Sequence, residues 1–217
     1  MVELLQNGPK DGPIYLFAHG AGADMKSVFM TDVAERLGEK GLRVIRFNFP
    51  YMVKRAEDGK RRPPDRVPKL LAVLEQVVKT LDRPVVVGGK SMGGRISSLL
   101  LAENAKRAVS DQLSISGCAC LGFPFHAPGK EPKDRLNHLQ DLVEPLLIVQ
   151  GARDSMGNQE EVENYVIAGE INPAIELFWL PDGNHDLKPR KASGFSHQQH
   201  IDAAIEQVAE FVITRNS

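Results

Sequence analysis

The chain has 217 residues, 42% of them hydrophobic and 25% charged, with a formal net charge of −1. This is the composition of an ordinary globular protein, and residues 1–217 read as one domain large enough for a sizeable core. A near-neutral balance gives no electrostatic case for nucleic acid or membrane binding, and neither a spanning apolar run nor a basic-then-apolar leader is present.

In chain order, Met1–Leu5 reads as a short edge strand and Gly8–Gly12 as a turn. Ile14–Ala18 is an apolar run of strand length that ends in the small-residue loop His19–Ala23. Phe29, Val33 and Leu37 fall at four-residue intervals and predict a helix over Ser27–Leu37. Leu42–Phe49 is the next strand, closed by Pro50, and Tyr51–Pro64 reads as a long polar loop. Val67, Leu70, Leu71, Leu74, Val77, Val78 and Leu81 form a strong helical stripe. A strand at Val85–Val87 then leads into a helix from Met92 to Asn104. Strands at Leu113–Leu121, Pro145–Gln150 and Ile175–Leu180 follow, with a helix at Glu160–Ala168 and a closing helix through Ile201, Ile205, Val208 and Val212.

Strands and helices alternate, and several strands are apolar on both faces. The expected fold is therefore α/β, a mostly parallel central sheet with helices on both sides. Right-handed connections gather the strand-to-helix loops at the carboxyl edge of that sheet. Cys118 and Cys120 are the only cysteines. Two thiols without a disulfide framework suggest a reducing compartment, with the cytoplasm as default. Nothing supplies the further ligands that a metal bound to this pair would need, and no cofactor is called for.

Gly89-Lys90-Ser91-Met92-Gly93 is a G-x-S-x-G pentapeptide placed between a strand and a helix. At such a turn the serine hydroxyl is lifted clear of the sheet, and the flanking glycines let strand and helix nearly touch. The Met92 N–H then lies at a helix start and can donate to an oxyanion. A P-loop is excluded, because no glycine stands where the first glycine of G-x-x-x-x-G-K-S would have to be.

A serine nucleophile needs a base held by an acid, here in the order serine, acid, histidine. Asp154 directly follows the strand ending in Gln150, and His185 follows the next strand. Ser91, Asp154 and His185 are the expected catalytic residues. His19-Gly20-Ala21-Gly22 follows the first core strand, where a second oxyanion donor belongs. The Ala21 N–H is the candidate, with Gly22 as its neighbour, and His19 reads as a brace for that loop.

The segments HGAGA, GGKSMGGR, GFPFHAPGK, VQGARDSMG and PDGNHDLKPRK together resemble one branch of the α/β-hydrolases, over roughly Ile14 to Phe211. That branch is similar to dienelactone-hydrolase-like proteins, and its eukaryotic relatives include a domain in a subunit of the non-specific-lethal chromatin complex. The resemblance implies a Ser91–Asp154–His185 triad and no particular substrate. Dienelactone hydrolases proper carry cysteine as nucleophile, where this chain has Ser91.

The segment from Phe123 to Glu144 leaves room for at most one short helix, around Lys133–Leu139, so a minimal lid or none is expected. Phe125 and His126 are expected near the mouth as substrate-binding residues. The carboxyl-edge loops carry more Lys and Arg than Asp and Glu, with Arg61 and Arg62 among them. That excess would favour an anionic substrate. The expected partner is thus a small ester or thioester, neutral or anionic, cleaved through an acyl-enzyme; the oligomeric state is left open. Peptidase or acyl-protein thioesterase activity would use the same site. The alternative is a non-catalytic scaffold on a hydrolase fold.

Overall fold

Among the residues described by the computed structural model, 2–216, seven strands form one sheet. They are β1 (Leu4–Asn7), β2 (Ile14–Ala18), β3 (Arg43–Phe47), β4 (Val85–Lys90), β5 (Ile115–Leu121), β6 (Leu146–Gly151) and β7 (Glu176–Leu180). Their order is β1-β3-β2-β4-β5-β6-β7, with β1 antiparallel to β3 and every other pairing parallel. The edge strand expected over Met1–Leu5 forms at Leu4–Asn7; Met1, like Ser217, lies outside the described residues.

Among the described residues seven α-helices cover the sheet: α1 (Val28–Glu39), α2 (Pro50–Asp58), α3 (Val67–Val78), α4 (Met92–Ala105), α5 (Asn137–Gln140), α6 (Gln159–Ile167) and α7 (His197–Arg215). Strand side chains alternate between two cores, as the pleat requires. Leu16, Val87, Cys120 and Ile148 pack against α3, α4 and α6, while Tyr15, Val86, Leu121 and Val149 pack against α1 and α7. Burial on both faces explains why β2, β4 and β6 read as unbroken apolar runs.

The chain moves from β2 outward to β3, then returns to lay β4 on the other side of β2. This reversal opens a crevice beyond the carboxyl ends of β2 and β4, the place where open α/β sheets bind ligands. The loop after β2 begins at His19, and the turn after β4 is Ser91.

One expectation is corrected here. Pro50–Asp58, the first part of the segment read as a loop, is helix α2. Pro50 opens it at a position that needs no N–H, Asp65 accepts from the Tyr51 N–H at 2.9 Å, and Gly59 ends it in the left-handed region at φ 70°. Only Tyr51 and Met52 are buried, so α2 has too little apolar surface to stand out as a helix in a charge-rich segment. The segment after Phe123 holds a 3₁₀ turn at Lys133–Arg135 and the single turn of α5, with no multi-helix cap among the described residues.

Candidate active site

Ser91 sits between β4 and α4 at φ 51° and ψ −116°, a conformation that costs a non-glycine residue about 1–3 kcal/mol. Close packing beneath it holds the strain. A Cβ on Gly93 would lie 2.3 Å from the Ala18 carbonyl oxygen, and one on Gly89 would meet the same atom at 2.3 Å. No side chain fits there, which is the physical content of the two glycines. The Ser91 N–H is held by the Leu121 carbonyl at 3.0 Å.

The Ser91 Oγ lies 2.8 Å from His185 Nε2, and His185 Nδ1 lies 2.7 Å from Asp154 Oδ2. Asp154 is fully buried; Oδ2 also accepts from Gln150 Nε2 at 2.9 Å, and Oδ1 from the Met156 N–H at 2.8 Å. Three donors converge on this carboxylate, an arrangement suited to accepting the Nδ1–H and to leaving the Nε2 lone pair facing the serine hydroxyl. The structure thus brings together the three side chains singled out from sequence. Asp182 and Asp186, the neighbours of His185, are committed elsewhere. Asp182 is held by Arg153 and Arg190, whose hydrogen bonds push its carboxyl well below the usual range, and Asp186 is exposed 3.9 Å from Lys90 Nζ.

The loop after β2 is fixed through its carbonyls. The Tyr51 hydroxyl reaches the Gly20 oxygen at 3.3 Å and the Ala21 oxygen at 3.1 Å, and Arg55 Nη1 donates to the Gly22 oxygen at 3.2 Å. In a trans peptide the N–H points opposite to the C=O. Anchoring the Gly20 carbonyl to Tyr51 therefore turns the Ala21 N–H the other way. His19 is fully buried and braces the same loop: its Nδ1–H donates to the Gly20 oxygen at 2.7 Å, and Nε2 accepts from the Phe49 N–H at 3.1 Å. Burial pushes its pKa down, against the hydrogen bond to Gly20. Met92 opens α4, so its N–H is one of the donors a helix start leaves without an intrahelical partner.

A cavity of about 390 Å³ lies over Ser91 and His185, walled by the loop at Gly20–Ala23 and by Phe29, Met30, Lys90 and His197. Gly22 is in that wall. Phe125 and His126 are not, which corrects the expectation for them. Phe125 is fully buried, its ring tilted against Phe123 with centroids 4.9 Å apart and packed against Gly157, where only glycine leaves space. His126 is 4% exposed and turned toward Glu161, with Nε2 3.3 Å from Oε2. Arg61 is exposed beyond the end of α2, and Arg62 is paired with Asp58; neither lines the cavity.

Lys90, Tyr51 and Gln150 are the site residues that sequence reasoning missed. Gln150 had a signal, since a fully buried amide ends an otherwise apolar strand. It bridges the Phe123 N–H and C=O to Asp154. The Tyr51 role depends on α2, which lies in the charge-rich segment read from sequence as a loop.

A crevice at the strand-order reversal, a strained serine and a buried acid behind a histidine define the α/β-hydrolase class of site. Residues 11–213 match the family described as the alpha/beta hydrolase domain, and the chain belongs to that family. Its fold is shared by the dienelactone hydrolase from Anabaena variabilis, at 17% identity and a TM-score of 0.67, covering 99% of this chain and 97% of that one. The monoacylglycerol lipase of Paleococcus ferrophilus is similar at 12% identity and a TM-score of 0.70, with 97% and 99% covered. Est1E from Butyrivibrio proteoclasticus with ferulic acid bound is similar at 17% identity and a TM-score of 0.66, with 97% and 95% covered. Membership of that family supports a hydrolase, and the neighbours share its fold. No helix among the described residues is long and apolar enough to cross a membrane.

Proposed function

We propose that the protein is a serine hydrolase that cleaves a small carboxylic ester or thioester through an acyl-enzyme on Ser91. The observation that carries this reading is the continuous relay from Ser91 Oγ through His185 to Asp154, at 2.8 and 2.7 Å. Ser91 Oγ attacks the substrate carbonyl as His185 Nε2 takes its proton, and Asp154 stabilises the imidazolium through Nδ1–H. The N–H groups of Met92 and Ala21 receive the developing oxyanion. As the tetrahedral species collapses, His185 passes its proton to the departing alcohol or thiol. Water then replaces the leaving group, His185 activates it, and the acid is released from Ser91. The open edge and the cavity wall of Ala21, Ala23, Phe29 and Met30 suit a soluble substrate with a small apolar acyl or alcohol portion.

The test is covalent labelling with a fluorophosphonate. The wild-type protein should form one adduct on Ser91. Ser91→Ala should lose both the adduct and ester turnover, by about 10⁴-fold or more, with little change in Tm. An adduct mapped to Ser97 or Ser98 would overturn the assignment; both are buried, the Ser97 hydroxyl bonded to the Gly88 and Gly93 carbonyls and the Ser98 hydroxyl to the Arg95 carbonyl and His138.

A further inference from the structure

Lys90 immediately precedes the nucleophile, yet its side chain is not at the protein surface. The residue is 8% exposed, and its stem runs past Gly20, with Cγ 3.8 Å from where a Cβ there would stand. Its Nζ donates to the main-chain carbonyl of His185 at 2.7 Å. Gly122 keeps this path open. It occupies the left-handed region at φ 63°, and a Cβ on it would lie 2.7 Å from the His185 oxygen and 2.9 Å from Lys90 Nζ, in the gap the hydrogen bond spans. The glycine after β5, the lysine ending β4 and the loop after β7 are therefore fitted to one another.

The His185 ring is held at both nitrogens, but a ring is positioned only as well as the backbone that carries it. Around it the loop is fastened on both sides: Arg153 N–H to the Gly183 oxygen at 2.8 Å, and Leu187 N–H to the Asn184 oxygen at 2.8 Å. At His185 itself the fastening is Lys90. A charge-assisted bond of this kind is about twice as strong as a neutral one. It runs from the residue beside the nucleophile to the residue that is the base, and so couples their positions directly.

We propose that Lys90 is a positioning residue for catalysis, tying the His185 main chain to the end of β4 so that Nε2 stays aligned on Ser91 Oγ. This rests on the serine-hydrolase reading above. Burying a lysine works against stability, and that cost is the sign of a residue kept for function. Burial pushes the Lys90 pKa down to about 8, against the opposing pull of Asp186 and Asp154. The other titratable groups facing it are His185, on the carbonyl it grips, and His197 of α7, whose Nε2 is 3.0 Å from the Asp186 main-chain oxygen; Ser27, just before α1, and Phe29 and Met30 of α1 also wall the cavity and do not titrate. Above about pH 8 the ammonium becomes an amine and the tether weakens to a neutral hydrogen bond.

The experiment compares wild type, Lys90→Met and Lys90→Gln in turnover of a p-nitrophenyl ester across pH 6–10, together with Tm and fluorophosphonate labelling. Lys90→Met should lower kcat by about 10- to 100-fold, the cost of a misaligned base, with KM within about threefold. Its Tm should stay level or rise. The wild type should lose kcat on an alkaline limb near pH 8 that Lys90→Met lacks, and Lys90→Gln, with a shorter neutral donor, should fall between them. An unchanged kcat in Lys90→Met, a wild type without that limb, or activity losses that track falling Tm in both variants would each overturn the proposal. If Lys90→Met does not fold, the wild-type limb and Lys90→Gln decide it. Wild-type protein that is never labelled on Ser91 refutes the serine-hydrolase reading instead, and the role of Lys90 with it.

Discussion

Replacing Asp154 by asparagine changes one atom, and the surrounding hydrogen bonds determine the outcome. Every neighbour of the carboxylate is a donor: the Met156 N–H to Oδ1, and Gln150 Nε2 and His185 Nδ1 to Oδ2. The new NH₂ must face one side or the other. Turned toward Met156, it leaves a main-chain N–H without an acceptor, at about 1–3 kcal/mol. Turned toward Gln150, it displaces a bond that amide can forgo, because Gln150 Nε2 also reaches the oxygens of Phe123 and Gly157 at 3.1 Å. The second orientation is the cheaper. It presents a donor to His185 Nδ1, which must then accept, so the proton moves to Nε2 and points at Ser91. A base in that tautomer cannot take the serine proton. The expected result is a fall in kcat of about 10⁴-fold with KM nearly unchanged. The loss of one charge-assisted bond, about 1–2 kcal/mol, should lower Tm by roughly 2–8 °C. Steady-state ester hydrolysis and a thermal melt measure the two effects. Turnover within tenfold of wild type in Asp154→Asn, with a collapse in Asp182→Asn or Asp186→Asn, would refute the reasoning.

Tyr51→Phe removes the hydroxyl that holds the Gly20 and Ala21 carbonyls. We expect kcat to fall about tenfold or more as the Ala21 donor loosens, below the loss for deleting an oxyanion donor outright, and unchanged kcat would separate Tyr51 from that loop's function. His138 gives a stability prediction. Its Nε2 is 2.8 Å from the Ser98 hydroxyl, and burial, with Arg95 adding to it, pushes its pKa down to about 4. Between about pH 4 and 6.5 the unfolded chain therefore binds a proton that the folded one refuses. Stability present above pH 6.5 is lost as pH falls through that window, by at most about 3 kcal/mol. Urea unfolding at pH 7 and pH 5 should show the loss in wild type and a smaller one in His138→Gln; equal losses would mean that another group is responsible.

Much of this protein was legible from local pattern. The unbroken apolar runs of β2, β4 and β6 announced a covered parallel sheet, since only burial on both faces tolerates them. G-x-S-x-G between a strand and a helix, with Asp154 and His185 each after a later strand, located three side chains that the fold then brought within 2.8 Å of their neighbours. Those signals are short-range: periodicity over one element, steric demand at one turn, and chain order along one edge. What lacked such a signal was decided by packing between distant segments. Helix α2 forms with two buried residues because Pro50, Asp65 and Gly59 supply its ends, and Tyr51 thereby reaches the loop after β2. Phe125 and His126 turn inward because Gly157 leaves a space that an aromatic ring fills and Glu161 offers a partner. Lys90 reaches His185 because Gly122 carries no side chain, a condition set by a residue 32 positions (122 − 90) away in the chain. A sequence records which side chains are available, whereas these contacts depend on which empty spaces the assembled backbone leaves between them.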